Sequence, residues 1–286
     1  MPRDMVRVDS TEVKYHRDDS KGNSRDSFKP VLDPKRGFKR KWNLRKLRSR
    51  EDPLVLFTLI SQGVVGAFLM LFIGPMLGLA ELTPAAHPLA YSLLLFGLLG
   101  IETYALFVST MHLGKPQRFY RAFNNLRYSP VSREVASLAV FYNLLGAYAL
   151  LVTVPFVFTD WLGLSESFVG TLTTVAGWAA LVAGPVSLYF MHNIYRIKAR
   201  PFWNHWQVLT SFYGNMFALG ALLVGLVYAG VLLSQGKDFA SLLNVVAWSM
   251  SAGLLMEAVG LWFHARDLPK QGGEGAASHY VQCTDF

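Results

Sequence analysis

Six apolar stretches, none of them holding a Lys or Arg, occupy the chain between Leu54 and Phe263. They run Leu54–Leu79, Pro88–Met111, Val135–Phe158, Phe168–Phe190, Trp206–Leu233 and Leu242–Phe263. A bilayer hydrocarbon core about 30 Å thick is crossed by about 20 helical residues, and each stretch has that length. Backbone amides and carbonyls cannot stay unpaired in lipid, so each stretch is expected to be a helix. The fold class is therefore read as all-α: a polytopic membrane bundle of six transmembrane helices.

Charge lies almost entirely outside these stretches. The net charge of +8 would point to nucleic acid in a chain without apolar spans; here its placement argues for membrane topology, and no nucleic-acid partner is expected. Residues 1–52 hold 16 Lys/Arg against 9 Asp/Glu. The second-to-third connection holds Lys115, Arg118, Arg121, Arg127 and Arg133, and the fourth-to-fifth holds Arg196, Lys198 and Arg200. Arg266 and Lys270 open the C-terminal tail, whereas residues 80–87 and 159–167 have no basic residue. The Lys/Arg excess marks cytoplasmic segments, which puts both termini and the two basic loops on the cytoplasmic side.

Three regions follow: a basic cytoplasmic tail over 1–52, a six-helix membrane domain over 53–264, and a cytoplasmic C-terminal tail over 265–286. The first apolar run follows about fifty polar residues and is longer than a signal-peptide core, so it is not expected to be a cleaved leader. Residues 1–34, polar and mixed in charge, are expected to be disordered alone. Residues 35–50 interleave Phe38, Trp42, Leu44 and Leu47 with basic residues, as a segment held by anionic lipid headgroups would. The single cysteine, Cys283, supplies neither a disulfide framework nor a metal or cluster site.

Ionisable residues inside a membrane are costly and mark cavities or partners. Glu102 and Glu257 lie within spans. His112, Glu134, His192, His205 and His264 lie at helix ends, all on the cytoplasmic side of the charge-derived topology. Taken singly, each fits a helix-end anchor; their clustering favours a site on that face. A haem b held by His112 and His192, or by His205 and His264, is one alternative, although no second pair exists near the outer face to carry electrons across. A transporter with Glu102 and Glu257 along its path, and a structural anchor with no site, are others.

The strongest local signal is Met111–Leu138, MHLGKPQRFYRAFNNLRYSPVSREVASL. His112 ends one helix and Glu134 begins the next. RFYRAFNNLR suits a short interfacial helix with aromatics on one side and Arg on the other, returning His112 and Glu134 to one depth. An imidazole and a carboxylate at the lipid edge exchange protons, the chemistry a lipid-soluble quinone needs at its carbonyl oxygens. Arg121 or Arg133 nearby would hold Glu134 ionised.

The phrase HLGKP…RAF…SPVSREV resembles the signature of the dimethyl sulfoxide reductase membrane-anchor family. So do EDPLVLFTLISQGVVGAFL at Glu51–Leu69 and IYRIKARPFWNHW at Ile194–Trp206. The resemblance implies an anchor without haem or covalently bound cofactor that exchanges electrons with a membrane quinone, ubiquinone or menaquinone. It implies two partner proteins, a four-cluster iron–sulfur subunit and a molybdopterin catalytic subunit. It carries the quinone-site roles onto His112 and Glu134, with Gln62 and Arg133 at matching positions. The family usually has eight spans, and this sequence has six. A cytoplasmic motif face places the soluble module in the cytoplasm, as in the sulfite dehydrogenases of sulfur-oxidising bacteria, on a bacterial inner membrane.

Overall fold

The computed structural model describes the side chains of residues 53–110, 118–196 and 203–267, with backbone also at 52, 111, 116–117, 5–8, 11–17 and 28–32. The protein divides into two compact units, Met1–Ser49 and Arg50–Phe286.

Within the first unit, strands β1 (Met5–Val8), β2 (Thr11–Arg17) and β3 (Phe28–Leu32) pair antiparallel in the order β1-β2-β3. Met5 faces Lys14 and Val8 faces Thr11; Val13 faces Leu32 and Arg17 faces Phe28. The expectation of disorder over residues 1–34 is corrected for these strands. Their runs are rich in β-branched and aromatic residues (Val6, Val8, Val13, Tyr15, Phe28, Val31), which low overall hydrophobicity hides.

The second unit is an all-α bundle. Its six long helices are α1 (Asp52–Ile73), α2 (Pro88–Met111), α3 (Pro130–Thr153), α4 (Glu166–Tyr195), α5 (Gln207–Ser234) and α6 (Ala240–Asp267). All six are long and apolar enough to cross a bilayer. Helix ends shift from the apolar stretches where caps and prolines intervene. α1 stops at Ile73 because Gly74 and Pro75 start a tight turn that closes on Gly78 at φ 90°. α3 begins five residues before its apolar stretch: Pro130 opens it, and Ser129 Oγ accepts from the Ser132 amide at 3.2 Å. Arg133 and Glu134 are therefore inside α3, not ahead of it. Pro155 follows the other end.

α1 is the most enclosed helix, with two thirds of its apolar window buried. It crosses α5 backbone to backbone at Gly66 and Gly220. α5 and α6 meet the same way at Gly214 and Gly253, where an added β-carbon on Gly214 would stand 2.6 Å from the Gly253 carbonyl oxygen. Lipid gives no hydrophobic drive to such contacts, so small residues that let backbones approach supply the packing. On the other side of α1, Phe68 and Phe72 stack at 5.8 Å and meet Tyr148 of α3 edge-on.

The antiparallel run of the six helices brings the ends at Asp52, Met111, Pro130, Tyr195, Gln207 and Asp267 to one end of the bundle, called the basic end below.

Candidate functional site at the basic end

A seven-residue register fixes the seam where α1, α3 and α4 meet. A β-carbon on Gly177 would stand 3.0 Å from the Tyr148 ring and against Phe72; on Gly184 it would stand 3.2 Å from Phe141 and 2.8 Å from Val65. The two layers are thus Phe72–Tyr148–Gly177 and Val65–Phe141–Gly184. One further step of seven, which turns a helix by only about 20°, reaches Thr58, Glu134 and Met191. All three are buried, Glu134 with 6 % of its surface exposed. Burial along each helix follows the same faces: Glu134, Leu138, Phe141, Leu145 and Tyr148 on α3, and Gly184, Ser187, Leu188, Met191 and His192 on α4.

Gln62 lies one turn beyond Thr58 on the same stripe of α1 and is 2 % exposed. Its Oε1 has no hydrogen-bond partner among the described residues, and neither has Nδ1 of the buried His192. Glu134, Gln62 and His192 are thus buried on the three helices of the seam, and two of their buried polar atoms have no partner among the described residues. Glu134 lies about 6 Å from the basic end of its helix and Gln62 about 15 Å from that of α1, at 1.5 Å per residue.

The remaining expected residues fall elsewhere. Arg133 is exposed, because its neighbour Glu134 turns about 100° away into the seam. Its Nε donates to the Leu126 carbonyl at 2.9 Å and its Nη2 to the Arg127 carbonyl, so it clamps the loop. Neither Arg133 nor Arg121 forms an ion pair with Glu134 among the described residues, which corrects the expectation that one of them holds its charge. Arg121 is exposed on the tight helix Pro116–Asn125. That helix shows Phe119, Tyr120 and Phe123 to the outside together with its arginines. His112 lies outside the described residues.

Two further polar groupings were not separable in the sequence. Ser61 donates to Glu102 at 2.8 Å, joining α1 to α2 with Glu102 fully buried. Between α5 and α6, Gln207 Nε2 donates to Ser211 Oγ at 2.7 Å, and Ser211 Oγ lies 3.5 Å from Glu257 Oε1. Both acids thus hold a partner on a neighbouring helix. Near the same end, His205 Nε2 lies 3.5 Å from Asp267, and the His205 and His264 rings touch at 4.9 Å. Rings in contact leave no room for a macrocycle, so this pair does not suit a haem. Among the described residues no group of three or more His, Cys, Asp or Glu is placed to hold a metal ion.

Comparison with known proteins agrees with the motif-bearing segments. The family described as DMSO reductase anchor subunit (DmsC) matches residues 48–267. The C subunit of the anaerobic dimethyl sulfoxide reductase of Haemophilus influenzae is 31% identical over 188 residues, 66% of this protein and 60% of that one. The C subunit of the Escherichia coli enzyme is 27% identical over 230 residues, covering 80% of this protein and 71% of the relative. The E. coli anaerobic dimethyl sulfoxide reductase subunit YnfH is 24% identical over 206 residues, 72% and 67% of the two proteins. The sequence thus spans about three fifths to seven tenths of the length of these relatives. No solved structure matches. With more than half of its length inside the matched region, and with the helices and loop that carry the motifs all in that region, this chain belongs to the DMSO reductase anchor subunit family.

Proposed function

We propose that the protein anchors a molybdopterin and iron–sulfur oxidoreductase to the bacterial inner membrane and passes electrons between its iron–sulfur subunit and a membrane quinone. The quinone sits at the basic end, in the seam of α1, α3 and α4. The partners are a four-cluster iron–sulfur subunit and a molybdopterin catalytic subunit, held on the cytoplasmic face with both termini of this chain on that side.

The observation that carries this reading is a carboxylate 6 % exposed, Glu134, on a seam whose other helices bury Gln62 and His192. A quinone taking two electrons also takes two protons at its oxygens, and a quinol gives both back. Glu134 is placed to transfer one at the head of the ring, with the basic end as its source or sink of water-borne protons. His192, by its ring nitrogen, supplies a hydrogen bond that orients a carbonyl oxygen, and Gln62, whose unpartnered Oε1 only accepts, takes a hydrogen bond from a hydroxyl of the quinol form. His112, which follows α2 in the sequence and matches the family motif, is assigned the role of second proton carrier. The exposed Phe119, Tyr120 and Phe123, with Arg118 ahead of them and Arg121 among them, offer a partner subunit an amphipathic ridge at the basic end.

Replacing Glu134 with Gln keeps the shape and removes the exchangeable proton. Turnover linked to quinone should fall about 10²-fold or more, the range for a lost acid–base group. Activity of the same complex with a soluble dye should stay unchanged. Quinone-linked turnover at the wild-type rate would refute the site. A parallel loss of both activities would assign Glu134 to assembly.

A further inference from the structure

At the opposite end of the bundle, an apolar groove of about 740 Å3 runs between α2 and α5. Leu93, Gly97 and Ile101 line it from α2, and Leu223, Val227 and Val231 from α5. The volume is that of a small-molecule site. From His87 to Ile101 it extends about 21 Å along the helix axis, a shape suited to a long tail rather than a compact ring. Gly97 lies in its wall, where a β-carbon would meet nothing within 4 Å.

The groove has one polar end. His87, only 8 % exposed, lies at the start of α2, and Gln235 closes α5. Gln235 Nε2 is 3.4 Å from His87 Nδ1. Taking the Gln235 amide nitrogen as the donor makes Nδ1 the acceptor and assigns the ring proton to Nε2. No hydrogen bond to Nε2 is seen among the described residues, which leaves a donor at the groove's head. No formally charged residue lines the groove. The neighbouring turn 80–87 has no basic residue, and the exposed Lys237 lies outside the lining beside Asp238.

An apolar trough with one neutral hydrogen-bond donor at its mouth matches a lipid-soluble molecule with a long tail and an uncharged carbonyl head. A phospholipid would bring a phosphate that no lining cation meets. We propose that this groove binds an isoprenoid quinone, with its carbonyl on His87 and its tail between α2 and α5. It is a second quinone site, at the far end of the bundle from Glu134, and does not depend on electron transfer at that residue.

The test uses the full-length protein with its copurifying subunits, in a phosphatidylethanolamine and phosphatidylglycerol bilayer. The probe is a ubiquinone with an azide on its head. Illumination should label peptides at residues 86–101 or 223–235, and decylubiquinone should compete the label away. Gly97→Phe should fill the trough and lower that labelling about tenfold, as loss of a buried tail segment's contacts would. Gly97→Leu serves the same purpose if the larger ring prevents folding, and His87→Leu should weaken labelling while leaving the trough open. Glu134→Gln should leave it unchanged, so the two sites fail or stand separately. The proposal is overturned if neither peptide is labelled in the wild-type protein. It is equally overturned if a folded Gly97 variant labels as strongly as wild type, or if added phosphatidylglycerol competes as well as decylubiquinone, which would make the groove a seat for bulk lipid.

Discussion

Gly66 of α1 and Gly220 of α5 touch through their backbones: a β-carbon on Gly66 would stand 3.1 Å from the Gly220 Cα and collide with the Met216 carbonyl. This crossing holds the most buried helix of the bundle against the α5–α6 pair. Any side chain there has backbone, not a flexible side chain, to displace.

Gly220→Ala should therefore destabilise the bundle by about 1–3 kcal/mol or more, the range for forcing a methyl into a packed contact. Gly170→Ala is the matched control, since a β-carbon there meets nothing within 4 Å. It should be neutral or stabilise by up to about 1 kcal/mol through helix propensity. Thermal unfolding of the two variants in detergent, followed by loss of the monodisperse peak, separates them. Equal stabilities would show that α1 and α5 slide apart without cost.

Ser61→Ala removes the only hydrogen bond seen for Glu102 among the described residues, leaving a buried carboxyl group without a donor. Interhelical hydrogen bonds in membranes are worth about 0.6–1.7 kcal/mol, so a loss of that size is expected. Thr171→Ala gives the comparison. Its hydroxyl bonds only to the Ser167 carbonyl of its own helix at 2.8 Å, on an exposed face. Its removal should leave the unfolding temperature where it was. Quinone-linked turnover should survive Ser61→Ala, because Ser61 faces α2 and not the seam with α3 and α4.

The six helices were legible because a bilayer imposes one length and one polarity on every crossing segment. The start of α3 was less so. Its apolar run begins at Val135, yet the Ser129 cap and Pro130 at the first helical position already marked an earlier start. Glu134 was found from its motif, and its buried side and Arg133's exposed side follow once both sit in a helix. Gln62 stood out only through family resemblance. Its place on the seam that also buries Glu134 and His192 depends on three helices sharing one seven-residue register, set by Gly177 and Gly184 admitting Phe72, Tyr148, Val65 and Phe141. Nothing local in α1 announces that register. The Ser61–Glu102 bond and the groove between α2 and α5 likewise arise from distant segments meeting.

The orientation of the bundle has a direct test. In a protein with Cys283→Ser, a cysteine at Arg121, exposed at the basic end, should react with an impermeant maleimide only after the inner membrane is breached. A cysteine at Gly163, in the α3–α4 turn, should react once the outer membrane alone is opened. The reverse pattern would put the basic loops outside, against the distribution of Lys and Arg.

Gln62 and His192 have different tasks at the proposed quinone site, and their variants should differ in kind. Gln62→Leu removes a neutral hydrogen bond, worth about 0.5–1.5 kcal/mol, from a group that binds the quinone but moves no proton. The KM for quinone should rise about 2- to 10-fold while kcat holds. His192 has a second, purely structural explanation: its ring packs 4.9 Å from that of Tyr189, and an aromatic ring of any kind would satisfy the contact. His192→Phe keeps that packing and removes both nitrogens. If His192 orients the quinone oxygen, this variant should lose quinone-linked turnover while the dye-linked activity and unfolding temperature stay put. If His192→Phe turns over quinone as the wild type does, its role is packing, and the site narrows to Glu134, Gln62 and the residues of the loop after α2.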